Sequence, residues 1–345
     1  MKNKGSLLKK WLPLLLGLTA MFFSGWAEAW ANGPKEIRVG FFPNLTHAQA
    51  LLAKSQGSYE KATGLPVRWN GFNAGPSVIE AIFAEAIDLS FIGPNPAING
   101  YLKSGGRSFV IVAGGASGGA ALVVRKDSGI AGVADFGAKV IATPQLGNTQ
   151  DVAARAWFAA KGYRFKEKGG SLTLLPLANP DQLTMLQKKE IDGAWTIEPW
   201  VSRLVTEGAG RVFLEERDLW PDGRYVTTHL IVRRAFLERY PEVVRQLLRA
   251  HVEITLRIRA EPEECMRAVN EQIKKETGKS LPDSVVKSAF RRVEFTWDPL
   301  KSSLHRSAQL AYAAGFIRSE PELGGIYDLR LLNEVLAERK LAAIE

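Results

Sequence analysis

Apolar positions in this chain follow two rhythms, short runs of consecutive residues and longer stripes at helical spacing. Both occur in residues 71–97, GFNAGPSVIEAIFAEAIDLSFIGPNPA. Val78, Ile79, Ile82, Phe83 and Ala86 form one apolar helical face, and Glu80 and Glu85 fall off it. Gly75-Pro76-Ser77 precedes the stripe with a proline suited to a first helical position and a hydroxyl suited to capping. Residues 88–92 are too few for anything but a buried strand, which Gly93-Pro94-Asn95-Pro96 is expected to stop. A helix N-terminus beside a strand C-terminus, edged with small and polar residues, is a place for a small anion, although such a turn is often plain scaffold.

The rest of the chain uses the same grammar. Residues 36–42 predict an entering strand, broken at Pro43-Asn44-Leu45-Thr46, and a helix is predicted from His47 to near Gly64. Strands are predicted at 67–72, 109–113 and 120–125, the last two separated by a turn through Gly114-Gly115-Ala116-Ser117-Gly118-Gly119. The pattern then restarts with a strand at 139–142, a polar turn at 143–149 and a helix at 150–160 closed by Gly162. Strand 171–177, a helix opened by Asn179-Pro180-Asp181, strand 191–195, a helix opened by Glu198-Pro199 and strand 211–214 complete this unit. Each unit carries an acidic residue just before a short apolar strand, Asp88 in one and Asp192 in the other. After a strand at 227–232 the chain is mainly helical, with helices predicted at 240–258, 262–277, 283–290, 300–314 and 331–340.

Alternating strands and helices predict an α/β protein of two lobes, each with a largely parallel sheet. Residues 35–124 with 225–345 are expected to form lobe 1 and 125–224 lobe 2, joined by crossings near Arg125 and Arg224. The first 31 residues read as an export signal. Lys2, Lys4, Lys9 and Lys10 flank an apolar run over 11–23, and cleavage is expected after Ala29 or Ala31. That run, interrupted by Pro13 and Gly17, is short for a membrane span, and no cysteine follows it to carry a lipid. The mature protein is therefore expected to be soluble and periplasmic.

Composition narrows the chemistry. Cys265 is the sole cysteine, which excludes an intramolecular disulfide and a cysteine metal site. A hydrophobic share of 46% permits a large core. Losing the four lysines and Glu28 of the signal lowers the net charge from +9 by three, to +6. This mild, dispersed basicity suits a small acidic ligand, and no interleaved basic and aromatic patch points to nucleic acid.

Five blocks together resemble the substrate-binding proteins of ABC importers for sulfonates, taurine and nitrate. They are VGFFPNLTHAQALLAKSQG, FNAGPSVIEAIFAEAIDLSFIGPNPA, ATPQLGNTQDVAARAWF, EIDGAWTIEPW and TTHLIVRRAFLERYPEVV, in order over residues 37–241. The resemblance implies a two-lobed α/β periplasmic binding-protein-like fold of type II, with an inter-lobe ligand cleft and a helical C-terminal segment. It implies a monomer that closes on a small anionic ligand and delivers it to a membrane permease. Asn44, Thr46 and His47 match the first contact turn, and Asn73, Gly75, Ser77 and Asn95 belong to the second. Gln145, Gly147, Asn148 and Thr149 open the helix expected to face them, with Asp151 as a capping carboxylate. Sulfonate oxygens would take backbone N–H groups at the two helix starts near Gly75 and Gly147. Trp195 would wall the pocket and Thr228 would return to it across the hinge. Glu198 could meet an ammonium on the ligand, though pairing with an arginine such as Arg125 is the favoured reading.

Catalytic signatures are missing from the sequence: there is no Gly-x-Ser-x-Gly elbow, no HExxH and no metal spacing among His47, His229, His251 and His305. No cofactor is expected. Thiamine-pyrimidine synthase-like enzymes share the fold but carry a cysteine-rich iron segment that this chain lacks. Menaquinone-pathway enzymes of this fold are cytoplasmic, against the N-terminal signal. The expected function is capture of an aliphatic sulfonate, with nitrate, taurine or another oxyanion as the alternative. An enzyme of the same fold and a sensory partner that presents ligand to a receptor are the readings from other classes.

Overall fold

The computed structural model describes residues 33–345, so the expected export signal lies outside the described part. β1 (Ile37–Phe41) leads through a tight helical turn into α1 (Ala48–Gln56) and α2 (Ser58–Thr63). β2 (Val67–Gly71), α3 (Gly75–Phe83), β3 (Leu89–Ile92), α4 (Pro94–Lys103) and β4 (Phe109–Gly118) follow. Next come β5 (Ala120–Arg125), β6 (Val140–Thr143), α5 (Thr149–Ala160), β7 (Thr173–Pro176), α6 (Asn179–Gln187), β8 (Gly193–Ile197), α7 (Trp200–Thr206) and β9 (Gly210–Glu215). β10 (Val226–Arg233) returns the chain to α8 (Arg234–Arg239), α9 (Pro241–Ala260), α10 (Pro262–Thr277) and α11 (Asp283–Arg292). β11 (Val293–Phe295), α12 (Lys301–Ala313) and α13 (Arg330–Glu338) close it.

Two sheets define two lobes, ordered β11-β4-β10-β3-β1-β2 and β7-β6-β8-β5-β9. β1 is parallel to β2 and β3, while β10 runs antiparallel between β3 and β4. In the second sheet β6 is parallel to β7 and β8, and β5 is antiparallel to β8 and β9. Both sheets are thus mixed, because each contains a strand next to a crossing between lobes. Apolar clusters cover both faces of each sheet. Among the described residues no helix is long and apolar enough to cross a membrane.

The glycine-rich segment expected as a turn is the second half of β4. A Cβ on Gly114 would stand 2.0 Å from the Asp298 carbonyl oxygen, so only glycine lets that backbone lie against the strand. The turn is confined to Gly118 and Gly119, at φ +79° and +85°. The crossing therefore lies there rather than near Arg125, and Ala120–Arg125 hydrogen-bonds within the second sheet, not the first. Gly93-Pro94-Asn95-Pro96 differs too: it ends β3 but starts α4, with Pro94 in the first turn where a missing N–H costs nothing.

The paired aspartates have one structural cause. Asp88 accepts the Arg38 N–H of β1 at 2.9 Å, and Asp192 accepts the Val140 N–H of β6 at 2.9 Å. Each carboxylate thereby satisfies a donor at the start of the neighbouring parallel strand. Burial works against the ionised form of Asp88, but bonds from Arg38 and Arg233 hold its carboxyl below the usual range.

Candidate ligand cleft

Parallel strands that end at one edge deliver their following turns to the same place. Phe41 of β1 is opposite Gly71 of β2, so Phe42–Asn44 and Phe72–Asn73 emerge side by side in lobe 1. In lobe 2, Asn179 follows β7 and Trp200 follows β8. Between these edges lies a cavity of about 580 Å³. Its third wall comes from the end of α10 and the turn before α11, including Glu276, Lys279 and Pro282. The indole Nε1 of Trp200 donates to Asn44 Oδ1 at 3.4 Å, a direct bond from lobe to lobe. Arg203 stacks over the Trp200 ring at 4.6 Å and holds Glu207 through two bonds of 2.9 Å.

A second meeting of the lobes is a seam beside this cavity. Gly93, at the start of α4, abuts Thr149, the first residue of α5, and a Cβ on Gly93 would stand 2.5 Å from Thr149 Oγ1. That hydroxyl is buried and has no hydrogen-bond partner among the described residues. The first turn of α5 also offers the N–H groups of Thr149, Gln150 and Asp151, which no α-helix bonds internally. The first turn of α4 is poorer, since Pro94 and Pro96 carry no N–H and leave Asn95 as its donor.

Of the expected site residues, Asn44 and Asn73 line the cavity and Thr149 lies in the seam. Asn148 is nearly buried at the start of α5, but its side chain makes no capping bond. Asp151 does part of that work, accepting from Gly147 N at 2.9 Å and Thr143 Oγ1 at 2.7 Å, with Arg155 at 3.2 Å. Gln145 is exposed, and Gly147 takes φ +74° beside Phe316. Thr46 is buried near Gly119, and the methyl of Thr228 packs toward Gly115 while its hydroxyl is buried without a partner among the described residues. Asn95 is committed to the Ser307 carbonyl at 3.3 Å, which ties α4 to α12. Gly75 serves close packing against Pro96, and α3 is capped at Ala74, so Ser77 is not its cap.

Three residues have roles other than ligand contact. His47 is fully buried, stacks on Phe42 at 4.4 Å and accepts the Phe42 N–H at 3.2 Å. Burial lowers it to about 3, so it is neutral and positions the Phe42 wall. Trp195 points away from the cavity into the lobe 2 core, with Trp157 at 5.8 Å and its Nε1 donating to Glu216 at 2.7 Å. Glu198 accepts from Ser202 Oγ at 2.9 Å and faces Arg292 at 3.3 Å, while burial pushes it up to about 7. Its partner is Arg292 rather than Arg125, which is taken by Asp127 at 2.6 Å and Asp192 at 3.6 Å.

By sequence Asn179 only opens a helix, and Arg203 and residues 273–282 carry no signal of a place in the cleft. Asn179 had a signal, since Asn44 and Asn148 likewise stand between a strand and a helix. The remote wall had none.

The sequence model of the NMT1-like family matches residues 31–272. The chain belongs to that family. A taurine-binding periplasmic protein of Escherichia coli K12 is 25% identical over 207 residues, which cover 59% of this chain and 61% of that protein. The structure of the alkanesulfonate-binding protein SsuA from Xanthomonas axonopodis pv. citri bound to MOPS superposes with a TM-score of 0.69 at 19% identity, over 86% of this chain and 99% of that one. The periplasmic nitrate-binding protein NrtA from Synechocystis PCC 6803 gives 0.70 at 17% identity, over 88% and 89%. The two-lobed α/β fold of periplasmic binding proteins is therefore shared. The NMT1-like segment runs from β1 into α10 and stops before the third wall of the cavity.

Proposed function

We propose that this chain is the exported solute-binding component of an ABC importer, closing its lobes on an aliphatic sulfonate and presenting it to a membrane permease. The observation that carries the reading is the cavity at the facing strand ends of the two lobes, lined by Asn44, Asn73 and Asn179 and bridged from Trp200 to Asn44. Its volume falls in the ~300–1,000 Å³ range of small-molecule sites. Neutral amides and first-turn N–H groups suit an oxyanion that is always ionised, because no titration accompanies binding. Each bond to such a charge contributes roughly 1.5–3 kcal/mol. Three or four such bonds sum to roughly 4.5–12 kcal/mol, a range that includes the ~8 kcal/mol of micromolar affinity before association costs are counted. The relatives bear names for taurine, alkanesulfonate and nitrate binding, which supports a small oxyanion.

Thermal unfolding with a panel of small sulfonates, carboxylates, nitrate, amines and sugars tests this, with mass spectrometry of each compound afterwards. A sulfonate at ~100 times its Kd should add about 2.7 kcal/mol of stability and be recovered unchanged. Stabilisation by amines or sugars alone, or conversion of the bound compound, would refute the proposal.

A further inference from the structure

Away from the cleft, a second crevice of about 190 Å³ separates α5 of lobe 2 from α12 of the C-terminal segment, and it shares no lining residue with the first cavity. α5 turns Ala153, Ala156 and Ala160 toward it at helical spacing, with Trp157 beside them. The alanines end at Cβ and leave the space open, while Trp157 and Trp220 wall it. Both indoles are held by their own packing: Trp157 meets Trp195 at 5.8 Å, and Trp220 lies parallel to the Tyr225 ring at 5.2 Å. An apolar cavity of ~150 Å³ takes up benzene, so this crevice has room for a single substituted ring.

Opposite charges stand at its two ends. Glu216, in the turn after β9, is buried and takes hydrogen bonds from the indoles of Trp195, at 2.7 Å, and Trp220. Two such bonds leave lone pairs free on a carboxylate. Glu216 has no ion-pair partner among the described residues, and burial pushes it up to about 7. Arg306, on α12, is exposed; its guanidinium lies over the Trp220 ring at 5.1 Å and donates to the Leu219 carbonyl at 3.0 Å. No carboxylate pairs with it among the described residues. The crevice thus runs from an unpaired cation at the surface, between two indoles, to a buried acceptor. Its two walls belong to different lobes. α12 is tied to lobe 1 by the Asn95 amide on the Ser307 carbonyl at 3.3 Å, and its Leu304 and Ala308 share an apolar cluster with Ile92 and Ile98. A molecule that touches Trp157 and Leu310 at once favours the arrangement that keeps them this close.

We propose that this crevice is a second binding site, for a small aromatic carboxylate with a hydrogen-bond donor opposite its acid group, and that its occupant draws the two lobes together. The ring lies between Trp157 and Trp220, the carboxylate meets Arg306, and the donor reaches Glu216. The site stands whether or not the cleft takes a sulfonate.

Calorimetric titration of the whole mature protein with 4-hydroxybenzoate, benzoate and phenol tests the proposal. 4-Hydroxybenzoate should bind best, with benzoate and phenol each about two- to tenfold weaker for the hydrogen bond they lack. Ala156→Leu fills the crevice and should weaken 4-hydroxybenzoate by about tenfold or more, and Ala160→Leu repeats the test if Ala156→Leu does not fold. Asn73→Ala alters the cleft alone and should leave the affinity for 4-hydroxybenzoate as it was. Arg306→Gln should weaken the two carboxylates by up to about fivefold and spare phenol. In small-angle scattering, 4-hydroxybenzoate should make the otherwise unliganded protein more compact, and should fail to do so in Ala156→Leu. No binding of 4-hydroxybenzoate, equal binding in Ala156→Leu, or loss of binding in Asn73→Ala overturns the site. Binding without compaction overturns its hold on the lobes. Equal affinity for all three probes overturns the roles given to Arg306 and Glu216.

Discussion

Replacing Gly93 with alanine puts a wedge between the lobes at a known distance. The backbone there, at φ −71° and ψ 157°, accepts any L-residue, so the substitution creates no strain within its own chain segment. The new Cβ would stand 2.5 Å from Thr149 Oγ1 and 3.6 Å from Thr149 Cβ. Only the hydroxyl is too near, and it must retreat by about 1 Å to reach ordinary contact. If Thr149 turns aside, the cost is about 0.5–1.5 kcal/mol of rotamer strain. If the lobes shift, overpacking costs about 1–3 kcal/mol. Both costs fall on the arrangement in which Gly93 and Thr149 touch, which under the proposed function is the one that ligand holds, while losing a glycine stabilises the folded chain by ~0.4–1 kcal/mol through the unfolded ensemble. Gly93→Ala should therefore keep or raise the unliganded melting temperature and weaken ligand binding, by roughly 2- to 13-fold if Thr149 turns aside and roughly 5- to 150-fold if the lobes shift. Calorimetric titration gives the affinity, and small-angle scattering gives the compactness of the free and bound protein. In Thr149→Ala the offending oxygen is gone, so adding Gly93→Ala to it should cost little. Equal losses from Gly93→Ala with and without Thr149→Ala would refute the argument, as would undiminished affinity in the single variant.

Three further outcomes follow from buried groups. Arg292→Met removes the cation facing Glu198, and an uncompensated buried charge costs about 3–5 kcal/mol. Glu198, raised by burial to about 7 from 4.5, is protonated at pH 5 and ionised at pH 8, so the loss of melting temperature should be larger at pH 8; a loss independent of pH would count against the pairing. His229 and His251 are both lowered by burial to about 4 from 6.5. Their contribution is full above pH 6.5 and is lost as pH falls toward 4, because the unfolded chain takes up the protons first. Glu198 and Glu216 oppose this, since each is raised by burial to about 7 and contributes fully below 4.5, losing that contribution as pH rises through 7. Replacing His229 and His251 with glutamine keeps a donor for the Pro299 and Gly114 carbonyls and should flatten the acid side of the denaturation profile, whereas an unchanged slope from pH 6.5 to 4 would dismiss those histidines as its source. Gly114→Ala forces a Cβ onto the Asp298 carbonyl and should cost at least about 1–3 kcal/mol by denaturant titration; a neutral result would mean that the backbone there yields.

What could be read in the sequence was local. The apolar stripe of Val78, Ile79 and Ile82 gave α3, and the paired aspartates before β3 and β8 marked equivalent places in the two sheets. Glycine was harder, because one residue type answers to different constraints. In Gly118 and Gly119 it permits a positive φ at the crossing, while in Gly114 it admits the backbone of residue 298 in the middle of a strand. A sequence does not show what approaches a glycine, so the second half of β4 looks like a turn by composition. Trp195 failed similarly: on a strand buried on both faces, alternation does not say which face meets the ligand and which the core. For Glu198 the need for an arginine was legible and its identity was not, since Arg292 lies 94 residues away.

The C-terminal segment, which by sequence adds only helices, touches each part of the binding apparatus. Residues 273–282 supply a wall of the cleft, Arg292 reaches Glu198 and Glu215 of lobe 2, and the Asp298 carbonyl occupies the space left by Gly114 in lobe 1. α12 takes the Asn95 amide through Ser307, just behind the Gly93–Thr149 seam. A segment bonded to both lobes cannot follow one of them without straining its contacts with the other. Opening of the cleft must therefore break the contacts of the segment with lobe 2, among them the Arg292 bonds and the packing of α11 on α7 and of α12 on α5, or its contacts with lobe 1, among them the packing of Gly114 against Asp298. The contacts with lobe 1 are the firmer, because Gly114 meets Asp298 backbone against backbone and β11 is hydrogen-bonded to β4 within that sheet. The C-terminal segment should thus travel with lobe 1, and the wall carrying Lys279 should move toward Trp200 as the cleft closes.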